Sequence, residues 1–282
     1  LSQFAGFCDG VRRAFEIVRN IEAEKIKKPV YVLGSLVHNQ DVVKKIEEKG
    51  IHKIDMQKFL EARPGEIGTV IITAHGAGPK IYEIAKEKNI DVIDTTCPKV
   101  IKVQRLAQAY SKRGYDIILV GDRNHKEVQS IFEWGQEKAV LVSGKDDLEN
   151  IHFENPGKIV ILSQTTQNMD FVQETYDFVR KKYPEVEITD TICLATEQRQ
   201  SEIKKMALES DAVVVIGSPD SANSNRLHEI AKKLNGKAIF IERAEDLPGK
   251  EFFEGLEKVV VTAGASTPDW IIEGVLKKLG EL

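Results

Sequence analysis

Two neighbouring stretches decide the fold: DVIDTTCPKV (91–100) and, after an amphipathic segment, DIILVGDRNHKEV (116–128). Each opens with a run of apolar and β-branched residues, which is typical of a buried strand. The first run leads into a cysteine and a helix-forming segment, and the second ends in a glycine and a polar loop. A strand, a helix and a second strand in this order predict a parallel α/β unit with a right-handed crossover.

The same pattern occurs three times along the chain. VEITDTICLAT (186–196) leads to AVVVIGSPDSANS (212–224), and FAGFCDGV (4–11) leads to VYVLGSLVHNQDV (30–42). From the cysteine to the strand-ending glycine the spacings are 26, 24 and 24 residues. Such self-similarity indicates repeated structural units. We therefore predict an α/β protein of three units related by a pseudo-three-fold axis, at residues 1–95, 96–190 and 191–282.

Each unit is expected to hold about four strands. The predicted strands are 30–33, 69–73, 91–94, 116–120, 139–142, 158–162, 186–189, 212–216, 238–241 and 258–262. A short strand before Cys8 is expected to complete the third unit. Because that strand is shorter than its equivalents and the chain does not begin with Met, we expect a few further residues before Leu1.

One cysteine stands at the same place in each repeat, namely Cys8, Cys97 and Cys193. If the units surround a common axis, the three thiols converge on it, which is an improbable arrangement for core packing alone. Three cysteines can bind zinc with water or histidine as the fourth ligand. They can equally hold three irons of a [4Fe–4S] cluster whose fourth iron stays open. The residues alone leave both possibilities standing.

Polar residues follow the strands, where functional groups of α/β sheets gather. Four residues after each glycine stand His38, His125 and Ser221, and six residues after it stand Gln40, Glu127 and Asn223. Three further turns carry His75, Thr165 and Ser266. This ring contains many hydrogen-bond donors and a single carboxylate, Glu127. It favours a phosphate or diphosphate ligand, although the chain has no Walker A pattern. His52, His152 and His228 lie outside these positions and are interpreted as structural.

Composition excludes several classes of protein. The 282 residues are 41% hydrophobic and carry 40 basic and 44 acidic side chains, which argues against disorder and against a nucleic-acid protein held by bulk charge. No apolar run is long enough to cross a membrane, and residues 1–10 show no signal-peptide pattern. Three widely spaced cysteines do not form a secreted disulfide framework. We expect a cytoplasmic protein that binds neither membrane nor nucleic acid.

The motifs GFCDGV, VHNQ, AHG, TTCP, HKEV, SQTT, SANSNR and TAGASTPDW together resemble the 4-hydroxy-3-methylbut-2-enyl diphosphate reductase family. The resemblance covers nearly the whole chain. It implies a trefoil of three α/β units around one [4Fe–4S] cluster with an open iron. The implied reaction is the reductive dehydration of an allylic alcohol diphosphate to isopentenyl and dimethylallyl diphosphates, on the methylerythritol phosphate route to isoprenoids. A reduced ferredoxin or flavodoxin is the implied electron donor.

The resemblance also assigns roles to individual residues. It implies that Cys8, Cys97 and Cys193 hold the cluster and that Glu127, Thr165 and His125 are catalytic. Of these, Glu127 and Thr165 are implied to act at the substrate hydroxyl, with Glu127 as the general acid. The implied substrate-binding residues are His38, His75, His125, Thr165, Ser221, Ala222, Asn223 and Ser266. Ala222 departs from the family pattern, which has a serine there, so only its backbone N–H is expected to bind. Two rival readings are a zinc hydrolase and a non-catalytic anion-binding module.

Overall fold

Strands and helices alternate along the chain in the computed structural model, which describes residues 1–22, 25–153 and 157–281. The strands are β1 (Val30–Leu33), β2 (His52–Ile54), β3 (Thr69–Ile72), β4 (Asp91–Asp94), β5 (Asp116–Val120), β6 (Ala139–Val142), β7 (Ile159–Ser163), β8 (Glu187–Ile188), β9 (Ala212–Ile216), β10 (Ala238–Ile241) and β11 (Val259–Ala263). Apolar β-branched residues dominate most of them, as strands buried on both faces require.

The helices connect these strands. They are α1 (Asp9–Arg19), α2 (Gln40–Glu47), α3 (Met56–Glu61), α4 (Pro79–Glu87), α5 (Pro98–Lys112), α6 (Lys126–Gly135), α7 (Lys145–Glu149), α8 (Met169–Lys182), α9 (Leu194–Leu208), α10 (Ala222–Leu234), α11 (Lys250–Phe253) and α12 (Asp269–Leu279). Two short 3₁₀ helices cover Gln136–Lys138 and Ala244–Asp246. No helix among the described residues is long and apolar enough to span a membrane.

The strands form three parallel sheets. Their orders are β2-β1-β3-β4, β6-β5-β7-β8 and β10-β9-β11. The predicted α/β class with three sheets is therefore confirmed. The inner strands of the sheets are mostly buried, and in β9 all five residues are fully buried.

Two details of the strand prediction were wrong. The sequence analysis missed β2, which has only three residues, two of them exposed. It also predicted a strand before Cys8, and the described residues there are not a strand. Ser2 N–H still donates to the Val261 carbonyl at 2.7 Å. Gly6, at φ +91°, then turns the segment, because a left-handed backbone conformation interrupts strand pairing.

The chain divides into two compact units. The first consists of 1–12, 37–42 and 194–282 and contains the β10-β9-β11 sheet. The second consists of 13–36 and 43–193 and contains the other two sheets. Apolar side chains of the strands and helices form the core of each unit. The division at 1–95, 96–190 and 191–282 stays a prediction.

Candidate functional site

The three cysteines share one local arrangement. Each stands directly before a helix: Cys8 before α1, Cys97 before α5 and Cys193 before α9. Each backbone N–H donates to a carbonyl two residues beyond the end of a strand. The acceptors are Ala265 at 3.2 Å for Cys8, Ala74 at 3.0 Å for Cys97 and Thr165 at 3.0 Å for Cys193. The repeat seen in the sequence is thus a repeat of backbone hydrogen bonding.

This arrangement suits metal-binding thiolates. A helix N-terminus stabilises negative charge, and the thiolate is the form of cysteine that binds metal. All three cysteine side chains are partly exposed, so a cluster could reach them. Pro98 at the first position of α5 cannot donate a backbone hydrogen bond, and its fixed φ suits a helix start. The donor set of soft thiolates therefore fits an iron–sulfur cluster.

In the second unit, Glu127 and Thr165 form a buried pair. Glu127 lies in the first turn of α6 and is 2% exposed, and Thr165 lies in the turn after β7 and is 5% exposed. The Thr165 N–H donates to Glu127 Oε1 at 2.6 Å, and the Thr165 hydroxyl donates to Oε2 at 3.1 Å. Both residues were predicted to act at the substrate hydroxyl, and the structure brings them into direct contact.

Burial changes the acidity of Glu127. Loss of solvent is the main cause that raises the pKa of its carboxyl to about 7. The hydrogen bonds from Thr165 lower this pKa, and the negative charge of Asp122 raises it further. Near neutral pH the carboxyl is therefore divided between its protonated and ionised forms. A group that can both hold and release a proton at this pH has the property required of a general acid.

His75 and His125 lie side by side in the second unit. Their rings meet edge to face, with centroids 5.2 Å apart. His125 precedes α6, and its Nδ1 accepts the Glu127 N–H at 3.2 Å. His75 Nδ1 lies 3.4 Å from the Thr73 hydroxyl. Both rings are partly exposed, so both can contact a bound anion.

In the first unit, a second polar group gathers at the start of α10. The Ser266 hydroxyl donates to the Ser221 hydroxyl at 3.2 Å, and both side chains are buried. Asn223, 5% exposed, has no hydrogen-bond partner for its Nδ2 among the described residues. A buried amide without a partner is energetically costly. This amide N–H group is therefore a donor that a bound ligand could satisfy.

Ser224 was not identified from the sequence. Its hydroxyl is fully buried without a partner among the residues that the structure describes. A Cβ on Gly217 or on Gly264 would come within 2.2 Å or 1.9 Å of that hydroxyl, so both glycines are needed to admit it. The sequence feature that could have indicated this close packing is the pair of glycines after β9 and β11, Gly217 and Gly264, which make room for the first turn of α10.

The remaining predicted site residues are placed as follows. Ala222 is the first residue of α10 and is partly exposed, so it offers no hydroxyl to a ligand. His38 is partly buried and lies in the segment of the first unit that precedes α2. Outside the predicted site, the His228 ring stacks on Phe240 with centroids 5.1 Å apart, in keeping with its structural interpretation.

The helix caps correct the proposed equivalence of the repeats. Ser221 caps α10 and His125 caps α6, and the side chain of Asn39 accepts the Val42 N–H at 3.2 Å at the start of α2. Asn39, and not His38, is thus the counterpart of His125, since the first repeat has one extra residue. It follows that Asp41, and not Gln40, matches Glu127. Because Asp41 also carries a carboxylate, burial is the property that distinguishes Glu127 from its counterpart.

The strand-end turns need a similar correction. Gly76, Gln167 and Thr267 each donate a backbone hydrogen bond to the residue three positions earlier at 3.0 Å. His75 therefore matches Thr166 and Ser266 in the repeat, whereas Thr165 matches Ala74. Thr165 contacts Glu127 from a position that the other two turns fill with alanine.

Comparison with known proteins gives full-length matches. The family model described as LytB protein matches residues 1–280. The 4-hydroxy-3-methylbut-2-enyl diphosphate reductase of Caldanaerobacter subterraneus subsp. tengcongensis is 36% identical over 282 residues, 100% of this chain and 96% of that protein. The Geotalea daltonii protein of the same name is 39% identical over 280 residues, 99% of this chain and 95% of that protein.

A solved structure agrees with these matches. The E-1-hydroxy-2-methyl-but-2-enyl-4-diphosphate reductase from Plasmodium falciparum is 33% identical, with a TM-score of 0.88 over 99% of this chain and 85% of that one. Identity above 30% over the whole chain indicates membership of the same family and not only a shared fold. The chain belongs to the LytB protein family, with the 4-hydroxy-3-methylbut-2-enyl diphosphate reductases.

Proposed function

We propose that this protein reduces (E)-4-hydroxy-3-methylbut-2-enyl diphosphate to isopentenyl diphosphate and dimethylallyl diphosphate, a step of isoprenoid biosynthesis by the methylerythritol phosphate pathway. The family membership supports the reaction class. The observation that carries the proposal in this chain is the buried Glu127–Thr165 pair, because removal of a hydroxyl group requires a proton where solvent is excluded.

The proposed cofactor is one [4Fe–4S] cluster held by Cys8, Cys97 and Cys193. Its support is the shared placement of the three cysteines before helix N-termini, with their side chains partly exposed. When bound, the cluster would supply two electrons one at a time and an open, Lewis-acidic iron. A reducing compartment such as the cytoplasm suits these thiols, and we propose a reduced ferredoxin or flavodoxin as the electron donor.

The proposed diphosphate ligands are the histidines and the small polar residues. His75 and His125 each present a partly exposed ring edge, and Asn223 holds a buried amide that has no partner among the described residues. Charge-assisted hydrogen bonds from such groups are about twice as strong as neutral ones. The full proposed set is His38, His75, His125, Thr165, Ser221, Ala222, Asn223 and Ser266, with Ala222 acting through its backbone N–H.

The proposed proton donor is Glu127. The reaction consumes two electrons and two protons, replaces the C–O bond by a C–H bond and releases water. Hydroxide is a poor leaving group, so the departing oxygen must be protonated as the bond breaks. When Glu127 is protonated, Oε2 would donate to the Thr165 hydroxyl 3.1 Å away, the reverse of the bond made by the carboxylate, and the hydroxyl would pass its own proton to the departing oxygen. The role of Thr165 is then to hold the carboxyl and to relay its proton.

An anaerobic assay tests the proposal. The purified protein should contain iron and sulfide in equal amounts and little zinc, and it should turn over the allylic diphosphate with a strong artificial reductant. The two isopentenyl isomers, identified by mass spectrometry, are the expected products. A colourless protein with stoichiometric zinc and no turnover would instead support a zinc hydrolase.

A further inference from the structure

A buried pair of polar side chains joins α5 to α6 in the second unit. Gln104 on α5 is 6% exposed and Ser130 on α6 is 2% exposed. Gln104 Nε2 donates to the Ser130 hydroxyl at 3.1 Å. That hydroxyl lies 2.8 Å from the Glu127 carbonyl and 3.2 Å from the His75 carbonyl, and its single proton is shared between these two acceptors. Ser130 thus links the backbone of His75 to the first turn of α6.

The turn that carries His75 is shaped to receive this pair. Gly76 has φ +77°, and a Cβ there would lie 2.4 Å from Gln104 Nε2. The same Nε2 also approaches the Ala77 carbonyl at 3.5 Å, and Trp134 Nε1 donates to that carbonyl at 3.1 Å. The Gly76 turn is therefore held from α5 and α6 together.

We propose that Ser130 and Gln104 are positioning residues that set His75 beside His125 for binding of the diphosphate. Both act through the backbone of the His75 turn and of α6. The proposal rests on the proposed binding role of His75. It predicts a selective effect, because the Glu127 carboxyl is held independently by Thr165.

Ser130→Ala tests the proposal in the reconstituted holoenzyme under anaerobic conditions. We expect KM for the allylic diphosphate, and the dissociation constant for inorganic diphosphate, to rise about tenfold, as loss of one hydrogen bond of ~1.4 kcal/mol would give. We expect kcat to stay within about threefold of the parent, since the proton donor keeps its partners. Exchange of backbone hydrogens at residues 73–78 should become faster.

Two further variants make the test specific. Gln104→Leu preserves volume and removes the amide, and combined with Ser130→Ala it should cost no more than Ser130→Ala alone, because two parts of one linkage are not additive. Ser143→Ala is the matched control, since the Ser143 hydroxyl is also buried but has no partner among the described residues. It should change none of the measured constants. If Ser130→Ala fails to fold, the Gln104→Leu variant is measured for the same KM increase.

Several outcomes would overturn the proposal. One is an unchanged diphosphate affinity in Ser130→Ala beside a lowered melting temperature, which assigns the pair to stability alone. Another is a fall in kcat with KM unchanged, which assigns Ser130 to the proton donor. A His75→Ala variant that binds inorganic diphosphate like the parent would remove the binding role of His75 itself. Turnover by the parent then tells whether the proposed reaction also fails.

Discussion

At the scale of single residues, burial gives Glu127 its chemistry. Its first-turn counterpart in α2, Asp41, is partly exposed, whereas Glu127 is 2% exposed and held by Thr165. Glu127→Gln keeps the size of the side chain and an acceptor for the Thr165 N–H, replaces the second acceptor by a donor towards the Thr165 hydroxyl, and removes the acid. We expect kcat to fall by roughly 10²–10⁴-fold, the usual contribution of general acid catalysis, with iron content and KM nearly unchanged. Turnover within about threefold of the parent would return Glu127 to a structural role.

The pH dependence of turnover follows from the same residue. Because burial raises the pKa of Glu127 to about 7, the carboxyl is protonated below that pH and ionised above it. We expect kcat to be constant below pH 7 and to decline as the pH rises through 7, and Glu127→Gln should lack this decline. A pH profile of kcat for parent and variant, at matched iron content, makes the comparison. An identical alkaline decline in both proteins would contradict it.

The raised pKa also predicts how stability changes with pH. The folded protein holds the Glu127 proton up to about pH 7, whereas the unfolded chain releases it near the ordinary value of 4.5. This group therefore contributes stability that is fully present below pH 4.5 and is lost as the pH rises to 7. Denaturant unfolding of parent and Glu127→Gln across this range should show a smaller loss in the variant. Parallel curves would contradict the shift.

Asn223 and Ser266 are predicted to act in binding. Loss of one charge-assisted hydrogen bond costs about 1.5–3 kcal/mol, so Asn223→Ala and Ser266→Ala should each weaken diphosphate binding roughly 10- to 150-fold. The measurement is titration with the diphosphate substrate and with its dephosphorylated alcohol. Asn150→Ala, a change at an exposed amide, serves as the control. If both variants still discriminate the two ligands as well as the parent does, these residues do not anchor the diphosphate.

At the scale of elements, Gly76→Ala measures how closely the His75 turn fits α5. Gly76 and Gly114 have nearly the same backbone, φ +77° and +79°, but only a Cβ on Gly76 would meet a neighbour, Gln104 Nε2 at 2.4 Å. Both alanine variants carry the left-handed backbone cost of about 1–2 kcal/mol. We expect Gly76→Ala to be the less stable of the two and to lose diphosphate affinity as well. Equal melting temperatures with equal affinities would contradict this fit.

The elements also show what the sequence could predict. All ten strands that were predicted with bounds match the observed bounds within one residue at each end, because apolar β-branched runs bounded by glycine or polar residues are distinctive. The strand β2 was missed because its three residues carry little pattern. Counting residues from the strand-ending glycine matched His38 to His125 and Gln40 to Glu127, which is wrong because one extra residue precedes the Asn39 cap in the first repeat. Ser130 and Gln104 lie within helices, where a buried polar contact leaves no repeat to detect.

At the scale of the whole molecule, the proposed cluster ligands come from three separate parts of the chain. Cys8 precedes α1, Cys97 precedes α5 and Cys193 precedes α9. A cluster bound by all three would join segments far apart in the chain, so its binding free energy should add to the stability of the folded protein. Removal of iron by a chelator under anaerobic conditions should therefore lower the melting temperature of the parent.

Replacing any one cysteine by serine tests the shared cluster. Cys8→Ser, Cys97→Ser and Cys193→Ser should each reduce the iron content and the broad visible absorption and abolish reduction of the substrate, because serine is a hard, weakly acidic ligand for iron. The melting temperature of each variant should approach that of the chelated parent, and further chelator should change it little. Iron, sulfide and melting temperature measured on one anaerobic sample of each variant decide the matter. A Cys193→Ser protein with full iron and full activity would show that the cluster does not depend on all three thiolates.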